Sequence, residues 1–198
     1  MNTFWRWILA ALAAAGWGLS PASAAGPDAV RFGNAIELGD MATARKWLSE
    51  GLDPDFPADR IGSGLMIAAW EGNIPMMELF LQYGADINRV SPIGEQALQL
   101  AAWKGHLQAV RWLLDHGADI NRGARQWGAL HYAALAGHGE IVRLLLERGA
   151  DLDARTPNDS TALMMTAREG HEEVARTLLA AGADPKPVND WGDSALTW

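Results

Sequence analysis

Residues 97–121, ALQLAAWKGHLQAVRWLLDHGADIN, decide the fold. Leu98, Leu100, Ala101 and Ala102 recur at helical spacing, and so do Val110, Leu113 and Leu114 after Gly105 has interrupted the run. The spacing predicts two short antiparallel helices. Gly117 stops the second, and Ala118-Asp119 open a turn leading onward. A unit of about 25 residues encloses no core of its own, so it has to stack on copies of itself.

The copies are in the chain. The helix-opening leucines Leu65, Leu98, Leu130, Leu163 and Leu196 are separated by 33, 32, 33 and 33 residues. Gly39, Gly72, Gly105, Gly137 and Gly170 mark the middle of each unit, and Gly51, Gly84, Gly117, Gly149 and Gly182 mark its end, with the same single contraction by one residue. That lost residue falls between Asp119 and Leu130, in a turn, where deletions are absorbed most easily. The expected architecture is all-α: a solenoid of stacked helix-turn-helix units joined by hairpin-like turns, forming one elongated domain.

A 33-residue helix-turn-helix unit with a Gly-Ala-Asp tail resembles the ankyrin repeat, best seen in ALHYAALAGHGEIVRLLLERGADLD at residues 129–153. The resemblance covers residues 28–198. It divides them into an N-terminal cap at 28–55, full repeats at 56–88, 89–121, 122–154 and 155–187, and a partial repeat at 188–198. The family's Thr-Pro before the opening leucine is absent from every unit; Gly64, Ala97, Ala129, Ala162 and Ala195 stand in the proline place, and the family's His appears only as His131. Those departures imply less rigid helix starts and leave the fold unchanged.

Residues 1–24 stand apart. Arg6 is followed by the apolar run from Ile8 to Leu19, then Pro21, then the small residues Ala22-Ser23-Ala24. This is the pattern of a secretory signal peptide cut before Ala25, and the run is short for a membrane-spanning helix. The expected location is therefore the periplasm or outside the cell, with no membrane attachment after cleavage. The chain has no cysteine, so no disulfide supports an exported form.

Charge excludes some partners. Loss of Arg6 takes 16 basic residues to 15 against 24 acidic ones, a net charge near −9, and no basic run of five residues exists. Nucleic acid and anionic membrane surfaces are poor partners for such a chain.

The sequence offers no catalytic constellation. His106, His138 and His171 follow the mid-unit glycine in successive units, His131 lies in a helix start and His116 precedes a helix stop. Spaced one repeat apart, they do not converge on a metal. Asp86, Asp119, Asp151 and Asp184 follow helix-stopping glycines and are expected to satisfy turn amides. Glu172 and Glu173 suit the positive end of a helix dipole, and Pro75 suits a first helical turn. No nucleophile elbow or phosphate loop is present, and no enzyme activity, cofactor or metal is expected. Asn158-Asp159-Ser160 is a glycosylation sequon in a turn.

Tryptophan is the unusual residue, with seven remaining beyond residue 24. Trp47 and Trp112 take core places in second helices and are expected to be buried. Trp70 and Trp103 share one repeat position, occupied elsewhere by Leu135 and Arg168. By resemblance, this position and its successor face a concave groove that binds protein. The groove is then Trp70, Glu71, Trp103, Lys104, Leu135, Ala136, Arg168 and Glu169, with turn tips adding Ile93, Glu95, Gln126, Trp127, Trp191 and Asp193. Units stack about 10 Å apart, so Trp70 and Trp103 form either one aromatic patch or oversized packing between repeats. Trp127 and Trp191 are expected to be exposed.

The resulting expectation is a monomeric, exported, non-enzymatic protein-protein interaction module. An immunity protein that blocks a toxin or enzyme, and an exported effector acting in a host cell, remain as alternatives. The chain breaks off at Trp198 inside an expected helix, which reads either as a shortened cap or as an incomplete repeat.

Overall fold

A computed structural model of the chain describes residues 26–58 and 61–198; the expected leader lies outside these residues. Among the described residues there are ten helices and no strand. They are α1 (Ala29–Glu37), α2 (Met41–Ser49), α3 (Gly64–Trp70), α4 (Ile74–Gln82), α5 (Ala97–Lys104), α6 (Leu107–Asp115), α7 (Ala129–Leu135), α8 (Gly139–Glu147), α9 (Ala162–Glu169) and α10 (Glu172–Ala180).

The helices form two layers. First helices α1, α3, α5, α7 and α9 stack in chain order, and each packs on its own second helix; α6, α8 and α10 follow one another in the outer layer. An inner first helix therefore meets neighbours on three sides, and residues Gly64 through Ala69 of α3 are all buried. Small pairs make that approach possible: Ala68-Ala69, Ala101-Ala102 and Ala133-Ala134 have essentially no exposed surface. Second helices are covered on one side only and carry an apolar stripe, as in Ile141, Val142, Leu144 and Leu145 of α8.

The N-terminal unit is sealed by an aromatic cluster. Phe32 meets Phe56 at 5.2 Å and Phe80 at 6.0 Å, and Trp47 lies 6.1 Å away. Phe80 also explains Gly64, since a Cβ there would lie 2.1 Å from its ring. The later units, without such a ring, carry alanine at that place.

Helix starts are secured by several means. Asp28 accepts from the Arg31 amide at 2.8 Å, Thr161 Oγ1 from the Met164 amide at 3.3 Å, and Gln99 and His131 reach back to the amides of Gln96 and Gly128 at 3.0 Å. Second helices change their device along the chain. Asp40 and Asn73 cap their own helices, whereas His106, His138 and His171 turn their rings towards the preceding unit. Pro75 lies in the first turn of α4 and Glu172 and Glu173 in that of α10, as expected.

The turns are tied across units by a second ladder. Asp55, Asn88, Asn121 and Asp153 accept from the amides of Asp86, Asp119, Asp151 and Asp184, one unit on. Asp86, Asp151 and Asp184 in turn accept from amides two residues ahead, the expected role. Hairpin-like tips close through Ser91 to Glu95, Thr156 to Ser160 and Asn189 to Asp193. The shortened turn instead holds Arg125 at φ 57°, in ion-pair contact with Asp159 of the next turn at 2.7 Å.

Two expectations fail here. Trp112 is only half-buried: its ring packs against the core and stacks on His116 at 3.9 Å, one helical turn later. Leu196 keeps the repeat register but is 72% exposed and not helical.

Candidate functional site

The ends of the first helices bring aromatic side chains from several units onto one face. Trp70, last in α3, and Trp103, near the end of α5, meet edge to face with centroids 5.0 Å apart. Trp103 continues onto Tyr132 of α7 at 5.7 Å, and Tyr132 onto Trp127 of the preceding turn tip at 5.2 Å. All four are either half-buried or nearly buried, so the run is at once packing between units and surface. Edge-to-face and tilted contacts are the arrangements that ring quadrupoles favour.

The main chain beneath is held rigidly. His106 Nε2 donates to the Trp70 carbonyl at 2.9 Å, His138 Nε2 to Trp103 at 3.0 Å, and His171 Nε2 to Leu135 at 3.1 Å. The histidines thus hold the carbonyls of Trp70, Trp103 and Leu135, three of the four residues at this repeat position.

Charged groups frame the rings. The Lys104 ammonium sits 4.8 Å over the Trp70 ring. The Tyr132 hydroxyl donates to Oε1 of Glu95, whose Oε2 is shielded from solvent and has no hydrogen-bond partner. Burial raises the proton affinity of the Glu95 carboxyl, opposed by the Tyr132 hydrogen bond and the charge of Arg122. Burial also pushes the Tyr132 hydroxyl up, helped by the charge of Glu95.

A second feature lies between the shortened turn and the next one. It is a partly open cleft of about 370 Å³ whose lining includes Arg122, Arg125, Arg155, His131, Asp151 and Asp159. Its guanidinium groups are committed to Gly94, Asp159 and the Asp159 carbonyl, so they do not converge on a ligand. Among the described residues no group of three or more His, Asp and Glu side chains is placed to hold a metal ion, and no helix is long and apolar enough to cross a membrane.

A family model described as ankyrin repeats (3 copies) matches residues 32–124, 65–156 and 122–189, together most of the chain. The chain belongs to the ankyrin-repeat family. No curated protein matches it. Ankyrin repeats are in general protein-protein interaction modules, and the coarse role of this ankyrin-repeat chain follows from that membership.

The residues picked from the sequence fall into three sets. Trp70, Trp103, Lys104, Glu95 and Trp127 come together, with Glu71 exposed beside Trp70. Trp127 differs from expectation: it is half-buried, because its ring lies against Tyr132 and 6.1 Å from His131. Leu135 and Ala136 are half-buried, and Arg168 and Glu169 are exposed but paired with each other at 3.0 Å. Ile93, Gln126 and Trp191 stand at exposed tips, Trp191 at 67%.

Tyr132 was missed by the sequence reading, although a signal existed. It lies three residues before Leu135, and the matching positions Ile67, Leu100 and Met165 are aliphatic, so an aromatic ring with a hydroxyl marks this ankyrin unit out. Arg122, which bears on Glu95, carried no comparable signal.

Proposed function

We propose that this ankyrin-repeat chain is a non-enzymatic binding module of the cell envelope that holds a protein partner on the face built from Trp70, Trp103, Tyr132 and Trp127. The observation that carries this reading is the continuous contact of four aromatic rings from successive units, partly open to solvent above a main chain fixed by histidines. Aromatic anchors on a rigid backbone dominate interface energetics, since each buries a large area at a small entropic cost. The groove positions from Leu135 to Glu169 and the tips at Ile93, Gln126 and Trp191 extend the contact area. Export rests on the leader pattern of residues 1–24.

The test is affinity capture from an envelope extract with the wild-type chain and a Trp70→Ala/Trp103→Ala variant matched by circular dichroism. A protein retained by the first and lost by the second supports the face. Equal capture by both moves binding to the turn tips or the outer layer. Fractionation of the producing cell, with N-terminal sequencing, checks export: a cytoplasmic chain beginning at Met1 removes the envelope from the proposal.

A further inference from the structure

Resting on the protein-binding reading above, we infer that the partner docks a basic segment on this face, lodging an arginine or lysine side chain against the Trp103, Tyr132 and Trp127 rings beside Glu95.

Three observations lead there. The rings form an aromatic surface, and ring faces attract cations. The chain already uses one in this way, with the Lys104 ammonium 4.8 Å over Trp70; Lys104 is itself exposed, so this contact is weakly held. Beside the rings, Glu95 has one oxygen bonded to Tyr132 and the other without a hydrogen-bond partner. Arg122 bears on that carboxylate, but its Nη1 is engaged by the Gly94 carbonyl.

The charge balance points the same way. Arg168 and Glu169 neutralise each other at the far end of the face, and at the aromatic end Glu71 and Glu95 stand against Lys104 and Arg122, so the local charges balance and the long-range field decides. The chain as a whole carries a net charge of −8, which draws a basic segment in over longer range. An incoming cation does not have to bond the closed oxygen of Glu95, because across protein rather than water the carboxylate charge is only weakly screened. An acidic segment would approach against the net negative charge of the chain.

The test is selection from a displayed library of random peptides on three baits made as the full chain: wild type, Glu95→Gln, and Trp70→Ala/Trp103→Ala, matched by circular dichroism. Wild type is expected to enrich peptides that share an arginine or lysine. Those peptides bind Glu95→Gln at least about tenfold more weakly and are lost on the double variant. Basic peptides that bind Glu95→Gln as tightly as wild type overturn the assignment to Glu95. Enrichment of acidic or purely apolar peptides that still need Trp70 and Trp103 overturns the cation site and leaves the protein-binding face standing. Peptides indifferent to the tryptophans, or no enrichment on wild type, overturn both.

Discussion

The imidazole of His138 donates from Nε2 to the Trp103 carbonyl at 3.0 Å, and the same ring fills the space where a Cβ on Gly105 would sit, 2.7 Å from its Cε1. Gly105 lies at φ 83°, a conformation that L side chains resist. Gly170 has the matching place and φ 76°, but nothing within 4 Å of its Cβ position. Gly170→Ala is therefore expected to cost only backbone strain, about 1 kcal/mol, and Gly105→Ala about 2–3 kcal/mol because the histidine bond is displaced as well. Adding His138→Ala should shrink that difference. Urea unfolding of the four chains measures it; equal losses for the two glycines would remove the histidine from the account.

Trp70 and Trp103 are coupled directly through their edge-to-face contact. A double-mutant cycle to alanine should give an interaction of about 0.5–1.5 kcal/mol. Strict additivity would mean that the two rings pack independently.

Tyr132→Phe keeps the ring in the run but takes the hydroxyl from Glu95, leaving neither carboxylate oxygen with that bond. A loss of about 1–3 kcal/mol is expected at neutral pH. Burial already raises the Glu95 carboxyl, and losing the hydroxyl raises it further, so the folded variant binds a proton more readily than the unfolded chain does. The loss should therefore diminish as the pH falls through the raised value in the variant. A loss independent of pH would place the effect in packing instead.

His131 is buried, accepts the Gly128 amide at Nδ1 and faces the Ala154 carbonyl with Nε2 at 2.9 Å. Burial lowers its proton affinity, against the pull of the Ala154 bond and the charge of Asp151. The unfolded chain then takes up a proton first as the pH drops below about 6.5, so stability is full above that pH and falls below it towards the lowered folded value. His131→Gln reproduces the arrangement of Gln99 in the preceding unit and should remove this part of the acid slope. Thermal unfolding between pH 8 and pH 5 tests it: an unchanged slope in the variant would put the acid sensitivity elsewhere.

The helices could be placed from the sequence because their signals are local. A glycine that ends a helix, and leucines three and four residues apart, do their work within a few residues, and repetition over five units made each signal self-checking. The same locality let Trp70 and Trp103 be paired, since equal positions in adjacent units must be neighbours in a stack. It failed for Trp112, whose half-buried ring stacks on His116 one turn away. It failed for Trp127 as well, where the neighbouring first helix supplied a ring to lie against.

By itself, the sequence determined the number and order of the units, the two-layer stack and the shared register of Trp70 and Trp103. Only the tertiary structure decided that Tyr132 joins those rings, that Trp127 folds down onto it, and that the Tyr132 hydroxyl meets Glu95, 37 residues earlier in the chain. A repeat period says which units touch, because stacking is one-dimensional. It does not say where a turn-tip side chain points, because that depends on the shape left open by the next unit.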